Sequence, residues 1–120
     1  MQDKYAGDIG DFGKFIILKQ LLLAGSPQMR LGLNWYNVTT ERESGNDGRH
    51  IKYLDVNYKN SALFIERNPE LYRKLKNVVD SKKRSISHLE ASELLPATTK
   101  YFSEPVPLES SDWEALWALN

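Results

Sequence analysis

The 120-residue sequence contains no cysteine, which excludes a disulfide framework and a thiolate metal site. It also lacks a long hydrophobic run, because the longest, from Leu21 to Gly25, is far too short to cross a bilayer. No signal-peptide pattern opens the chain. These absences favour a cytoplasmic protein that has no membrane partner.

Charge of one sign is not in excess either, since 16 lysines and arginines balance 16 aspartates and glutamates. A net charge of zero disfavours nucleic-acid binding driven by bulk charge, although it leaves a local basic patch open. Proteins near neutrality tend to self-associate, so a homo-oligomer is expected. The composition, 41% hydrophobic and 27% charged, is typical of a globular protein, and the length suits one domain spanning residues 1–120.

The hydrophobic pattern predicts both helices and strands. The first helix follows an N-cap at Asp11 and ends at Gly25 and Pro27. Few polar residues interrupt it, so it is expected to be buried on most sides. Alternating apolar residues predict strands from Arg30 to Val38 and from Thr98 to Phe102.

Capping signals place the other helices. Ser61 to Glu66 is expected to be helical, and Asn68-Pro69-Glu70 is a strong helix start with Pro at the first helical position. Ser87 and Glu90 have capping-box spacing ahead of another short helix. Ile51 to Val56 is expected to be a short strand or an extended lead-in.

The fold class that follows is α/β, with a small sheet of two to four strands packed with four or five helices. The sheet is expected to be centred on Leu31 to Tyr36. The first helix and the helix that begins at Pro69 are expected to pack against it.

Two Gly-Asp pairs form the first candidate site, in the segment Gly7-Asp8-Ile9-Gly10-Asp11-Phe12-Gly13-Lys14. Backbone N–H groups at a helix start can bind an anion or a cofactor carboxylate, and small residues allow close approach. Asp8 and Asp11 could instead bind a metal or a ribose hydroxyl. A tight turn with an N-cap explains the same residues without a ligand, and this interpretation is favoured. The spacing matches neither the dinucleotide-binding fingerprint nor a P-loop.

The second candidate is the loop around residues 46–50. Asp47 and His50, with Arg49 between them, could serve acid–base chemistry or ligate a metal. A turn around Asp47-Gly48 that carries a surface histidine is favoured, because no spacing in the sequence supplies a third metal ligand.

Ser111 and Glu114 repeat the capping-box spacing and predict a last helix that runs to the chain end. Its Trp113, Leu116 and Trp117 are the third candidate, and they are expected to form a partner interface through which the chain self-associates. The basic run from Lys82 to Arg84 could contact phosphates or an acidic partner, but a solvated helix end is favoured. His88 is expected to be structural rather than catalytic.

Four blocks of sequence resemble a poorly characterised family of bacterial and phage proteins, and the resemblance extends over nearly all of the chain but only the front half of that family. The most specific is Tyr5 to Phe15, and the others are Leu31 to Tyr36, Asn46 to Leu54 and Leu94-Leu95-Pro96. Members of that family are about twice as long. They resemble Rossmann-like, S-adenosylmethionine-dependent nucleic-acid methyltransferases, which implies a truncated Rossmann-like half domain for this chain.

The resemblance also implies a function for the first candidate site. Gly7, Asp8, Gly10, Asp11 and Lys14 would flank the cofactor, S-adenosylmethionine, or the nucleic acid. In that family, an Asp-Pro-Asp-Asn-Gly motif in the catalytic position follows the segment that matches the last predicted helix. The sequence ends before this motif, so the resemblance implies no methyl transfer by this chain alone.

Three hypotheses for function remain open. The leading one is a non-enzymatic protein that occupies a macromolecular partner, as small phage anti-defence proteins such as anti-CRISPR proteins do. The second is an enzyme: a methyltransferase completed by another chain, or a metal-dependent nuclease that uses Asp8, Asp11 and Asp47. The third is a nucleic-acid-binding module that uses the 82–84 basic run and aromatic side chains.

Overall fold

The computed structural model describes residues 1–25, 29–38, 50–81 and 84–105. This part of the chain is mixed α/β, as the sequence predicts, with four α-helices and a two-stranded parallel sheet. The elements in chain order are α1 (Ile9–Ala24), β1 (Gly32–Asn34), α2 (Ser61–Arg67), α3 (Pro69–Asp80), α4 (Ile86–Ala91) and β2 (Lys100–Phe102). Single 3₁₀ turns span Asp3–Tyr5 and Lys52–Leu54. The second of these replaces the extended segment predicted from Ile51 to Val56.

Helix α1 begins three residues before the predicted start. Its N-cap is Asp8, whose carboxylate accepts the N–H of Asp11 at 3.2 Å, so the prediction of Asp11 as the N-cap is wrong. Both aspartates precede apolar residues, and either could cap a helix locally. Asp11 lies in the first turn instead and has a different partner, described below.

One side of α1 is buried through Phe12 and Phe15, where the helix packs against α3. The prediction that α1 is buried on most sides is wrong, because Ile17 is 61% exposed and Leu21 is 57% exposed. A helix that packs against a neighbour on one side covers only one stripe of its surface, however apolar the remaining residues are.

Helix α3 is the centre of the helical layer, in contact with α1, α2 and α4. It starts where the sequence predicts: Asn68 accepts the N–H of Leu71 at 3.0 Å, and Pro69 occupies the first helical position. Leu71, Leu75 and Val78 of its buried face are fully buried. Complete burial of three aliphatic side chains contributes several kcal/mol, at roughly 25 cal/mol per Å² of apolar surface.

Helix α4 is capped by Ser85, whose hydroxyl accepts the N–H of His88 at 3.0 Å. The predicted capping box of Ser87 and Glu90 is therefore wrong. Ser85 has the extended backbone that an N-cap needs, whereas Ser87 already lies inside the helix.

The sheet pairs β1 with β2 in parallel, with Leu33 opposite Tyr101. Each strand has three residues, fewer than the 30–38 and 98–102 ranges predicted. Trp35 follows β1, and its ring stacks parallel to the Tyr101 ring at 6.2 Å. Its indole N–H donates to Glu90 of α4 at 2.7 Å, and the same carboxylate accepts from the hydroxyl of Ser103. Glu90 thus joins α4 to the segments that follow both strands.

Candidate functional site

The Gly-Asp segment forms a turn that is held by reciprocal hydrogen bonds. While the Asp8 carboxylate accepts the N–H of Asp11, the Asp11 carboxylate accepts the N–H of Gly7 at 2.8 Å. The N–H of Asp11 also donates to the carbonyl of Asp8 at 3.0 Å, so Asp8 accepts it through both its backbone and its side chain. Each aspartate therefore supplies an acceptor for a backbone donor near the helix start. The two carboxylates close the turn from both ends.

Three hydrogen bonds tie two distant parts of the chain to the same turn. The hydroxyl of Tyr53 donates to the carbonyl of Gly7 at 2.7 Å. The guanidinium of Arg84 donates through Nε to the carbonyl of Ala6 at 2.7 Å. The N–H of Ile9 donates to the carbonyl of His50 at 2.9 Å. The turn is therefore the junction of α1 with the 50–54 segment and with the start of the last third of the chain.

Gly7 is required by both its backbone angles and the space around it. Its φ is +83°, a conformation that side-chain-bearing residues rarely adopt. A Cβ atom at this position would lie 2.7 Å from Cγ2 of Val79 on α3. The glycine thus allows α1 and α3 to approach each other.

Burial sets the electrostatics of the turn. Asp11 is only 1% exposed, and this burial raises the pKa of its carboxyl above the usual 3.8. The N–H of Gly7 and the ammonium of Lys14, 3.5 Å away, partly oppose the increase. Burial also raises the pKa of the Tyr53 hydroxyl, with a further increase from the nearby Asp11 and Asp8 carboxylates. It lowers the pKa of Arg84, against the opposing effect of the same two carboxylates.

These contacts give Gly7, Asp8 and Asp11 structural roles at the N-terminus of α1. Their carboxylates already occupy backbone donors there and place negative charge where an anion would bind. Gly10 and Lys14 are exposed on the outer side of the same helix start. Binding of a cofactor by these five residues stays a prediction. The hydrogen bonds of Gly7, Asp8 and Asp11 suit a structural role, in which these residues fix the start of α1.

The other candidate residues of the sequence are only partly within the described chain. Asp47 and Arg49 lie outside the described residues, as do Lys82, Lys83 and the interface candidates Trp113, Leu116 and Trp117. His50 is exposed. His88 shares a hydrogen bond of 2.9 Å between its Nδ1 and the hydroxyl of Ser81, a contact that joins α4 to the end of α3.

The described residues contain no group of three or more His, Asp or Glu side chains arranged to hold a metal ion. Within the same residues, no helix is long and apolar enough to span a bilayer.

The sequence gives no sign of a pocket of about 510 Å³ that lies beside the Gly-Asp turn. Its walls come from Ile9 at the start of α1, from the segment between His50 and Asn60, and from Phe64 of α2. The pocket depends on contacts between segments that are more than 40 residues apart, so no local motif indicates it. The sequence offers Tyr53 and Tyr58 only as members of a general group of aromatic residues that could stack on bases, and it does not single out Phe64.

The outward side of α1 is a second unpredicted feature. Apart from Ile9 and Leu23, which are exposed to one side of the others, the exposed positions recur along the helix at spacings of three and four residues: Gly10, Gly13, Lys14, Ile17, Gln20, Leu21 and Ala24. Such spacing places them in one stripe, and the stripe contains a single charged side chain. We call these seven residues the outer face of α1.

Comparison of the chain with protein-family models, with curated proteins and with solved structures finds no match. The function is therefore inferred from the residues and their arrangement.

Proposed function

We propose that this protein works by binding and not by catalysis, and that it does so as a homodimer in which the outer face of α1 pairs with the same face of a second copy. The observation that supports this most strongly is the exposure of Ile17 and Leu21 side by side on one helix. Water-exposed aliphatic stripes of this kind are typical of surfaces that a partner covers.

The spacing of the outer face suits a partner helix. Positions 10, 13, 17, 20 or 21 and 24 follow the alternating three- and four-residue step of a helix–helix seam. The 16 residues of α1 make a seam about 24 Å long, at 1.5 Å per residue. That is enough for several turns to interlock.

The face is also complementary to itself. In an antiparallel pair with its two-fold axis at Ile17, Gly13 of one copy lies opposite Leu21 of the other. Gly10 lies opposite Ala24 in the same arrangement. Small residues thus face a large one or each other, which lets the helices approach closely and fit large side chains into gaps. A chain with no net charge does not oppose this pairing by long-range repulsion.

The dimer would act by occupying a macromolecular partner. This step extends the expectation drawn from size and resemblance, namely a small phage or mobile-element protein that blocks a host defence in the manner of an anti-CRISPR protein. The analogy concerns the class of protein, and the α1 pairing does not depend on it.

Single cysteines test the pairing directly, because the chain has no cysteine of its own. A residue on a two-fold axis faces its own copy, so Ile17→Cys is expected to form an intermolecular disulfide under mild oxidation. The matched control is Leu63→Cys on α2, an aliphatic residue that is exposed to a similar degree, 66%, but lies outside the outer face. Equal crosslinking at both positions, or crosslinking at Leu63→Cys alone, would reject the proposed pairing.

A further inference from the structure

The pocket beside the Gly-Asp turn is walled mainly by rings. Tyr53, Tyr58 and Phe64 line it, and Ile9 adds an aliphatic side chain from α1. The Tyr53 and Phe64 rings contact each other at a centroid distance of 4.9 Å, and Phe12 packs against both. These rings are held in place before any ligand arrives, which reduces the entropy lost on binding.

The position of Tyr53 also determines what it offers to a ligand. Its hydroxyl proton is already donated to the carbonyl of Gly7, so what Tyr53 offers in the pocket lining is mainly ring surface. Tyr58, another lining residue, is 38% exposed. A flat ligand can therefore contact the ring surface of more than one residue.

The polar groups of the pocket are basic or neutral. Lys52 supplies an ammonium, His50 an imidazole and Asn60 an amide, and no described lining residue is acidic. The carboxylates near the pocket already accept backbone N–H groups: Asp8 that of Asp11, Asp11 that of Gly7, and Asp55 that of Asn57 at 2.9 Å. A negatively charged group on the ligand would meet a positive edge there.

We propose that this pocket binds a small planar anion, a flat aromatic or heteroaromatic ring that bears a carboxylate or a phosphate. The ring lies against Tyr58 and Phe64, and the acidic group is held by Lys52 with the amide of Asn60 beside it. The volume of about 510 Å³ falls within the range of small-molecule sites and suits a ligand between an aromatic acid and a nucleoside monophosphate in size.

The site is independent of the outer face of α1, so neither proposal relies on the other. Ile9, the one α1 residue in the pocket wall, does not belong to that face. The pocket also differs from the predicted Gly-Asp site. It opens next to the helix start and uses none of Gly7, Asp8, Gly10, Asp11 or Lys14.

Isothermal titration with two pairs of probes tests the proposal. Indole-3-acetate and adenosine monophosphate carry the acidic group, and indole and adenosine lack it. Each acid is expected to bind about tenfold or more tightly than its neutral counterpart, because a charge-assisted hydrogen bond to Lys52 is lost in the latter. The tighter of the two acids indicates whether a carboxylate or a phosphate is the natural group.

Exposed residues allow variants that leave the fold intact. Lys52→Gln is expected to weaken binding of the acid about tenfold and leave the neutral probe unchanged. Tyr58→Ala is expected to weaken both by a similar factor, because it removes ring contact. Lys59→Gln, an exposed lysine that does not line the pocket, is the matched control and is expected to change neither.

Two results would overturn the proposal. One is the absence of heat with all four probes at millimolar concentration. The other is binding of the acids that Lys52→Gln and Lys59→Gln weaken equally, since this would indicate general attraction to the surface and not a site built around Lys52.

Discussion

Gly7 is the residue whose role is most specific. Its positive φ and its distance from Val79 exclude a side chain, whereas Gly13 lies in the interior of α1 with no atom within 4 Å of a Cβ placed there. Gly7→Ala is expected to lower the free energy of unfolding by about 1–3 kcal/mol through backbone strain and the clash. Gly13→Ala, the matched control, is expected to raise it by about 0.5–1 kcal/mol because alanine favours helix.

Urea denaturation of both variants at low protein concentration makes the comparison. Dilute samples keep the chains monomeric, so the outer face of α1 does not contribute. If Gly7→Ala were as stable as the wild-type chain, the close packing of this turn against α3 would be incorrect.

Asp11 makes stability depend on pH in an unusual direction. Its pKa in the folded protein is raised above 3.8, the value for the unfolded chain. At pH values between 3.8 and the folded-state pKa, the folded protein therefore holds a proton that the unfolded chain has released. The stabilisation that this proton gives is fully present below pH 3.8 and is lost as the pH rises through the folded-state pKa. Asp11→Asn keeps an acceptor for the N–H of Gly7 but does not titrate. It is expected to remove this downward slope of unfolding free energy against pH.

Glu70→Gln provides the comparison for the pH series. The pKa of Glu70 is lowered by Lys74, 3.1 Å away, so this group gives a slope of the opposite sign: its stabilisation is lost as the pH falls. Denaturation midpoints measured from acidic to neutral pH distinguish the two. An Asp11→Asn curve parallel to that of the wild-type chain would contradict the burial of an ionisable carboxyl at this position.

At the same scale, the sequence indicates that the two aspartates cap a helix but not which one is the N-cap. Local spacing allows either Asp8 or Asp11. The choice is made by partners far away in the chain, because a start at Ile9 lets its N–H reach the carbonyl of His50 and lets Tyr53 reach Gly7. No single-sequence pattern contains these contacts.

Among the secondary-structure elements, α4 gives the clearest test of the observed N-cap against the predicted one. Ser85 accepts the N–H of His88, while Ser87 lies exposed inside the helix. Ser85→Ala is expected to cost about 1 kcal/mol of stability because a backbone donor loses its partner. Ser87→Ala is expected to change stability by less than about 0.5 kcal/mol, as exposed helix positions usually do. Thermal denaturation compares the pair, and the reverse order would restore the capping box predicted from the sequence.

Elements with strong local signals are the ones that could be predicted. The start of α3 follows from Asn68-Pro69, whose capping and backbone preferences act within one turn. Helix α2 begins at Ser61 as predicted, although its N-cap, Asn60, makes no side-chain capping bond. The strands are shorter than their alternating patterns, because a ladder lasts only as long as its neighbour runs beside it. The exposure of α1 depends on how many neighbours surround it, and its own sequence does not contain that information.

For the molecule as a whole, composition and pattern are enough to predict the α/β class, with its small sheet and four helices. They are not enough to predict the pocket or the outer face of α1. The pocket forms where Ile9, the 50–60 segment and Phe64 come together. The outer face is the side of α1 that stays exposed when the rest of the described chain has packed. Of the predicted candidates, the loop residue His50 and the base-stacking candidates Tyr53 and Tyr58 line the pocket.

The central claim is that the outer face of α1 joins two copies of the chain, and the mass in solution tests it most directly. Light scattering coupled to size-exclusion chromatography is expected to give twice the 13.8 kDa monomer mass for the wild-type chain at micromolar concentration. The double variant Ile17→Glu, Leu21→Glu is expected to give the monomer mass with its fold intact, because both side chains are exposed, and Leu63→Glu is expected to remain dimeric. A wild-type chain that stays monomeric, or a dimer that the double variant leaves unchanged, would contradict the pairing of two copies through the outer face of α1.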